Sequence, residues 1–337
     1  MILIILLFCL LNNSLSFKPK QYNRKLTYHN ANTPPDIWIE LSNTFKKSAR
    51  DWFISRAENK GIKWKEMVDN NRENIDHLKD IYDKINNKSL IYPEYYTQPF
   101  HGYDTGNLNW EAALEGEAAT LSMAVNYWKN IDPIITEYWL RYNVSNNIKN
   151  YIYSYSDSYK VISDSLLGCD LLDIGCSVGI STEYLFNSFK NLNSVTGLDL
   201  SPYFISIANY RAENLKLPIN YIHANAEKTN LSKSSYDLIV CNFILHEVPA
   251  DPTKNILNEM YRLLRKGGIL AIVDLNPTRV QDNLVVSTFR KWAFEVTEPH
   301  IYEYYKSNMT KWLEDTNFTN VKKISNDPIN SIWIGIK

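Results

Sequence analysis

An open α/β sheet of alternating strands and helices is the fold class that this 337-residue sequence predicts, on three observations. Leu171–Ile180 reads as a buried apolar strand carrying a carboxylate, Asp173, then a glycine-bearing turn that opens a helix at Ser181-Thr182. Val195–Asp199 is a second apolar run ending in an acid; Ser201 follows as an N-cap and Pro202 takes the first helical position, where its missing N–H costs nothing. A helical stretch, Thr253–Arg265, then passes through Lys266-Gly267-Gly268 into an apolar strand, Ile269–Asp274. Between these, Ile219–Ala224 and Tyr236–Cys241 read as the third and fourth strands, with Asn225-Ala226-Glu227 and Asn242–Glu247 as the loops beyond them. Met309–Thr316 reads as the last helix, and Val321–Ile324 with Ile332–Ile336 as a closing antiparallel pair.

The turn after the first strand constrains the ligand. It contains no Lys, and Gly175 is not followed by the Gly-Lys-Ser/Thr that holds a triphosphate. Ser177 and Ile180 stand where the second and third glycines of a dinucleotide fingerprint belong. A glycine turn with an acid two residues ahead and no cation suits a ligand that lacks phosphate and carries positive charge. S-adenosylmethionine, a sulfonium with an ammonium, has that chemistry.

Taken in order, these motifs resemble those of the class I S-adenosylmethionine-dependent methyltransferases, over roughly the last 180 residues. Asp173, Gly175, Cys176 and Gly179 match the first motif, and Val195–Pro202 the second. The resemblance implies a doubly wound seven-stranded sheet, mostly parallel with the last strand antiparallel, and an N-terminal helical extension. It implies S-adenosylmethionine as cofactor, bound by Asp173, Gly175, Cys176, Gly179, Asp199, Leu200, Asn225, Ala226 and Asn242. Asp199 would accept hydrogen bonds from both ribose hydroxyls. Asn225 departs from the acid usual there, although its amide oxygen can still accept. His246, four residues past Asn242, is the candidate catalytic base, since an imidazole titrates near neutrality; capping or packing is the alternative role.

Composition removes other classes. Lys and Arg number 36 against 37 Asp and Glu, a net charge of −1, so no basic footprint supports nucleic-acid binding. The Asn242-Phe-Ile-Leu-His246 stretch also lacks the Asn-Pro-Pro-Tyr and Pro-Cys motifs of DNA-methylating branches. Cys169, Cys176 and Cys241 fall in or beside strands with no ligand spacing, which predicts buried thiols and no metal. The expected acceptor is a small molecule, aromatic, quinol or lipid-like, as in the quinone-biosynthesis methyltransferases that the chain resembles. Two rivals stand: an aminopropyltransferase, which needs paired acids where Asn242 lies, and a binding-only protein that keeps the fold.

The chain divides into a leader (1–35), a helical region (36–150) and the methyltransferase domain (151–337). Ile2–Leu11 is an apolar run too short to span a bilayer of about 30 Å, and Ser14-Leu-Ser16 offers a small-x-small cleavage step. Four cations follow in Phe17–Lys25, with no acid before Asp36. This resembles the bipartite leaders of proteins bound for plastids acquired by secondary endosymbiosis: a signal peptide, then a transit peptide. Simple secretion is the rival, and no stable membrane span is expected in the mature chain.

In the helical region, the stretch from Phe45 to Ile85 has apolar residues at helical spacing, and Asn109 caps a helix over Trp110–Asn126. The Pro99–Glu111 stretch is similar to one in plastid methyltransferases of unassigned substrate. The region either roofs the cofactor cleft, with Tyr103, Trp110 and Glu111 reaching in, or forms a packing collar. After the fifth strand, an insert over Thr278–Asn308 lies where the family builds a substrate lid; Glu298, His300 and Tyr304 either face substrate or stabilise a helix edge.

Overall fold

Three classes of local signal build the fold: apolar strands closed by acids, side-chain N-caps, and glycines where backbone must approach closely. A computed structural model of the chain describes residues 50–51, 53–98, 103–125, 127–128, 131–155, 168–280 and 300–337, which belong to one compact unit, Ser48–Lys337. The predicted leader and most of the insert, with Glu298, lie outside the described residues.

The helical region supplies α1 (Trp64–Glu73), α2 (Ile75–Ile85), a 3-10 turn at Glu94–Thr97, α3 (Trp110–Ala124) and α4 (Pro133–Tyr155). Asn109 caps α3 as its sequence predicts, its side chain accepting from Ala112 N at 2.8 Å. Trp64, Val68, Leu78, Leu114 and Ala118 share one core cluster with Phe204 and Ile207 of the following domain. The helical region is therefore continuous with the sheet's outer layer.

The sheet is built from β1 (Asp170–Ile174), β2 (Ser194–Asp199), β3 (Asn220–His223), β4 (Tyr236–Asn242), β5 (Leu264–Leu275), β6 (Thr319–Ser325) and β7 (Asn330–Ile336), in the order β3-β2-β1-β4-β5-β7-β6. Helices α5 (Ile180–Ser188), α6 (Pro202–Leu215), α7 (Ala250–Leu263), α8 (Ile301–Lys306) and α9 (Met309–Asp315) complete it. β7 is antiparallel to both neighbours, and the pairs among β1 to β5 are parallel. Strand order reverses between β1 and β4, so the crevice of this open sheet lies at the carboxyl ends of those two strands.

One boundary differs from the sequence reading. The Lys266-Gly267-Gly268 hand-over is not a connector, because β5 already starts at Leu264, paired with Tyr236 across a register shift. Gly267 N donates to Lys337 O and Gly268 O accepts from Lys337 N, each at 2.9 Å, so the glycines are held by the final residue. Sequence windows do not reveal that pairing.

Close packing also fixes how β2 meets β3. A Cβ on Gly197 would lie 2.5 Å from two ring carbons of Tyr221 and 3.0 Å from Cys176 Sγ. Gly197→Ala is therefore expected to cost about 1–3 kcal/mol in urea unfolding, and less in a Tyr221→Leu background, where the ring is gone.

Candidate active site

The site's floor begins where β1 ends. Gly175 has φ 68°, and its N–H and that of Cys176 donate to Leu198 O at 2.7 and 3.0 Å, stitching the turn to β2. A side chain at Gly175 has no room: its Cβ would lie 1.9 Å from Ile244 Cδ1, in the loop beyond β4. Gly179 precedes α5 at φ 86°, with the Tyr221 hydroxyl 2.5 Å from where its Cβ would be. Cys176, Cys169 and Cys241 are all buried, as expected, and burial pushes the Cys176 thiol well up.

Asp173 and Asp199 share a face of the sheet, because Asp173 stands opposite Gly197 and Asp199 lies two residues on. Their roles differ. Asp173, fully buried, accepts from Ser181 Oγ at 2.5 Å, Thr182 Oγ1 at 2.7 Å and Asn242 Nδ2 at 3.4 Å. It braces the first turn of α5 through side chains and links it to β4. Asp199 accepts one backbone N–H on each oxygen, Ser177 N at 2.9 Å and Ser201 N at 2.8 Å. Burial outweighs those bonds and lifts its carboxyl from 3.8 to about 6. Each oxygen retains a lone pair for a further donor.

Beyond β2 and β3, Leu200 O accepts from His223 Nε2 at 3.1 Å, and Asn225 Oδ1 accepts from Glu227 N at 2.8 Å. Asn225 thus spends one lone pair on its own turn, and Ala226 follows, half-buried. Ser201 caps α6 through Phe204 N as predicted, and its hydroxyl also donates to Asn107 O at 2.7 Å.

That last contact belongs to the roof side of the site, where the sequence left Tyr103, Trp110 and Glu111 between reaching into the cleft and forming a packing collar. Tyr103 donates to Glu115, Trp110 packs on Tyr82 and on Tyr203 of α6, and Glu111 lies 3.9 Å from Arg50, contacts of the collar kind. The residues that reach the tips of β2 and β3 are instead Asn87–Tyr96 and Asn107. Asn87 N donates to His223 Nδ1 at 3.0 Å, the Tyr92 hydroxyl lies 3.2 Å from His223 Nε2, and the Tyr95 hydroxyl donates to Glu227 Oε1 at 2.9 Å. Tyr96 stacks on Tyr92 and is close enough to Asp199 and Glu247 for both charges, added to burial, to push its phenol well up.

On the other side of the crevice, β4 ends in Asn242, and Phe243 follows at φ 58°, a left-handed conformation rare for a bulky side chain and typical of functional loops. The Arg141 guanidinium of α4 lies 5.8 Å from the centre of the Phe243 ring. Arg141 Nε donates to Glu137 Oε1 at 2.7 Å, and both residues are buried. In the sequence this pair is visible only as opposite charges four apart in a helix otherwise uncharged from Pro133 to Ile148. His246, also buried, has Nδ1 2.7 Å from Asp274 Oδ1 at the end of β5. Of the insert's described candidates, Tyr304 is buried with its hydroxyl on Leu275 O at 2.8 Å, and His300 precedes α8 with its ring 6.4 Å from that of Tyr95.

These residues fit S-adenosylmethionine. Asn242 Oδ1 and Glu137 Oε2 are buried acceptors with no hydrogen-bond partner, and a buried orphan is costly unless a ligand completes it. Both suit an ammonium. Among the described residues the hydrogen bond of Arg141 goes to Glu137, which leaves guanidinium donors for a carboxylate. Asp199 suits hydroxyls. Among the described residues no cluster has the ligands for a metal ion.

A protein-family model described as "Methyltransferase domain" matches residues 172–272, which span β1 to β5. The chain is 30% identical over 154 residues to the ubiquinone biosynthesis O-methyltransferase of Coxiella burnetii, covering 44% of this chain and 63% of that one. It is 28% identical over 147 residues to the demethylmenaquinone methyltransferase of Oceanobacillus iheyensis, covering 43% and 60%. The chain therefore spans less than two thirds of either relative's length. A solved structure of Haemonchus contortus phosphoethanolamine N-methyltransferase 2 with S-adenosyl-L-methionine aligns over 57% of this chain and 52% of that one, at 16% identity and a TM-score of 0.42. Residues 172–272 thus match a methyltransferase domain, set in a seven-stranded sheet of order β3-β2-β1-β4-β5-β7-β6, and the chain is similar in sequence to curated methyltransferases.

Proposed function

We propose that this protein transfers the methyl group of S-adenosylmethionine to a small-molecule acceptor of aromatic, quinol or lipid-like character. The observation that carries the reading is the set of buried, uncommitted acceptors and donors around one crevice: Asn242 Oδ1, Glu137 Oε2, the Arg141 guanidinium and the second lone pairs of Asp199. Together they match a ligand with hydroxyls at one end and an amino acid at the other. The quinone character of the acceptor is supported by the names of the two curated relatives and by the tyrosines and Phe243 on the rim. The aminopropyl alternative needs paired acids at the end of β4, where an amide, Asn242, stands.

In this reading Asp199 holds the ribose, while Glu137, Asn242 and Arg141 hold the amino-acid end. When bound, the cofactor supplies a methyl carbon on a cationic sulfur. The protein's task is to align the acceptor with that carbon and exclude water, an orientational contribution that reaches about 7–11 kcal/mol in favourable cases. The roof of Tyr92, Tyr95 and Tyr96 covers the nucleoside end, and the rigid turn at Gly175 bounds the other. Entry of the leader into a secretory route and onward to a plastid-type organelle is part of the proposal, with secretion as the rival.

Two measurements test the cofactor assignment. Asp199→Ala is expected to weaken S-adenosylhomocysteine binding in isothermal titration roughly a hundredfold or more, from about 1.5–3 kcal/mol per hydrogen bond to a charged group; unchanged affinity refutes the ribose role. The second is pH dependence. Burial raises the free carboxyl of Asp199 to about 6, and ribose hydroxyls favour its ionised form, so its pKa falls on binding. Affinity is then full above about pH 7 and drops as pH falls through 6, at most about tenfold per pH unit. Asp199→Asn should abolish that dependence.

A further inference from the structure

His223, buried at the end of β3, joins the roof to the turn after β2 through its two ring nitrogens. A backbone N–H only donates, so Nδ1, which takes Asn87 N at 3.0 Å, carries a lone pair. A carbonyl only accepts, so Nε2, 3.1 Å from Leu200 O, carries the proton. The Tyr92 hydroxyl, 3.2 Å from Nε2, is a second acceptor for that proton. The two backbone partners therefore demand one form of the ring: neutral, with its proton on Nε2. An imidazolium would set its Nδ1–H against the Asn87 N–H, donor facing donor, and the roof would lose its backbone anchor.

The groups around the ring supply no substitute for that anchor. Burial pushes the imidazole below its usual range, against the bond to Leu200 O. From the roof, burial raises the Tyr92 phenol to about 12 and the Tyr96 phenol well up, so both stay neutral at pH 7. Tyr82 of α2 is likewise raised to about 12 by burial, and Tyr203 of α6 neighbours Tyr92. From β2, Asp199 stands opposite His223 in the strand pairing, but its oxygens take Ser177 N and Ser201 N. Glu227, beyond β3, is held by Tyr95 and Asn255, and Lys88, beside Asn87, is exposed.

We propose that His223 is a positioning residue that latches the roof over the nucleoside end and sets how fast S-adenosylmethionine enters and leaves, not how tightly it is held. The inference rests on the cofactor reading and deepens it. The latch's contacts end on protein groups: His223 with Asn87, Tyr92 and Leu200, and Tyr95 with Glu227. Weakening them favours the open roof equally with the site filled or empty, so entry and departure accelerate together and their ratio stays. Product departure limits many enzymes, so such a latch acts on turnover. The latched roof holds fewer protons than the open one. Latching is therefore complete above the ordinary imidazole value of about 6.5 and is lost as pH falls through the lower value of the latched ring, at most about tenfold per pH unit.

The tests use the full chain. Long-range proton–nitrogen NMR of histidine-labelled protein, assigned with H223N, is expected to show His223 at pH 7.5 with Nε2 protonated and Nδ1 bare. Amide hydrogen exchange over residues 87–96, corrected for intrinsic rates, is expected to lose protection about tenfold or more in H223F. The unaltered protein is expected to lose protection there as pH falls from 7.5 to 5.5. H223N, whose amide oxygen can take the Asn87 N–H in place of Nδ1, is expected to keep protection at pH 7.5 and to lose its pH dependence, with Asp199 in place. In stopped-flow binding of S-adenosylhomocysteine, H223F is expected to raise association and dissociation rates together, about tenfold or more, with Kd within about threefold. An Nδ1-protonated ring, or protection that ignores pH, in the unaltered protein overturns the proposal without any variant having to fold. Rates unchanged in H223F, a Kd that shifts as far as the dissociation rate, or a pH dependence that persists in H223N overturns it as well. Absence of S-adenosylhomocysteine binding to the unaltered protein would instead overturn the cofactor reading, and this inference with it.

Discussion

The crevice depends on one buried carboxylate shared between two turns. Asp199 takes Ser177 N on one oxygen and Ser201 N on the other, tying the turn that starts α5 to the turn that starts α6. With Leu198 O accepting from Gly175 and Cys176, the tips of β1 and β2 become a single rigid surface of backbone amides. A carboxylate out of water is costly unless its lone pairs are met. Here two are met by the fold, and the residual cost is visible in a carboxyl lifted to about 6. The same group that sets the spacing of the turns keeps lone pairs for further donors, so in the proposed reading the fold and the ribose draw on one carboxylate.

Asp173 behaves differently although the sequence presents it in the same guise, an acid near a strand's end. Its contacts to Ser181, Thr182 and Asn242 make it a brace for α5 and a link to β4. What it holds is Asn242, from whose amide nitrogen it accepts a hydrogen bond and whose oxygen has no partner.

Local chemistry was legible in the sequence. Ser201-Pro202 and Asn109 behave as a cap with its first residue and as a cap, because those interactions span three residues. Apolar runs gave the strands to within a residue or two at most ends, as at Tyr236–Asn242. What was not legible is whatever joins distant segments. Nothing near Arg141 signals that Phe243 lies against it, and the buried Glu137–Arg141 pair looks in one dimension like an ordinary surface pair. Asp274 reads as the end of a strand; only the fold reveals the imidazole beside it. The sequence left roof and collar open for Tyr103 and Trp110, which are as aromatic as Tyr92 and Tyr96; only their docking distinguishes them.

The contacts of that roof have a kinetic corollary. Asn87 to His223 spans 136 positions, Tyr92 to His223 spans 131 and Tyr95 to Glu227 spans 132. Closing a loop of that length carries a large entropic cost, but the cost grows only logarithmically with length and is incurred once for all three. After the first contact forms, the others close at the cost of a few residues each. The segment should therefore dock and detach as a single cooperative unit, not tyrosine by tyrosine.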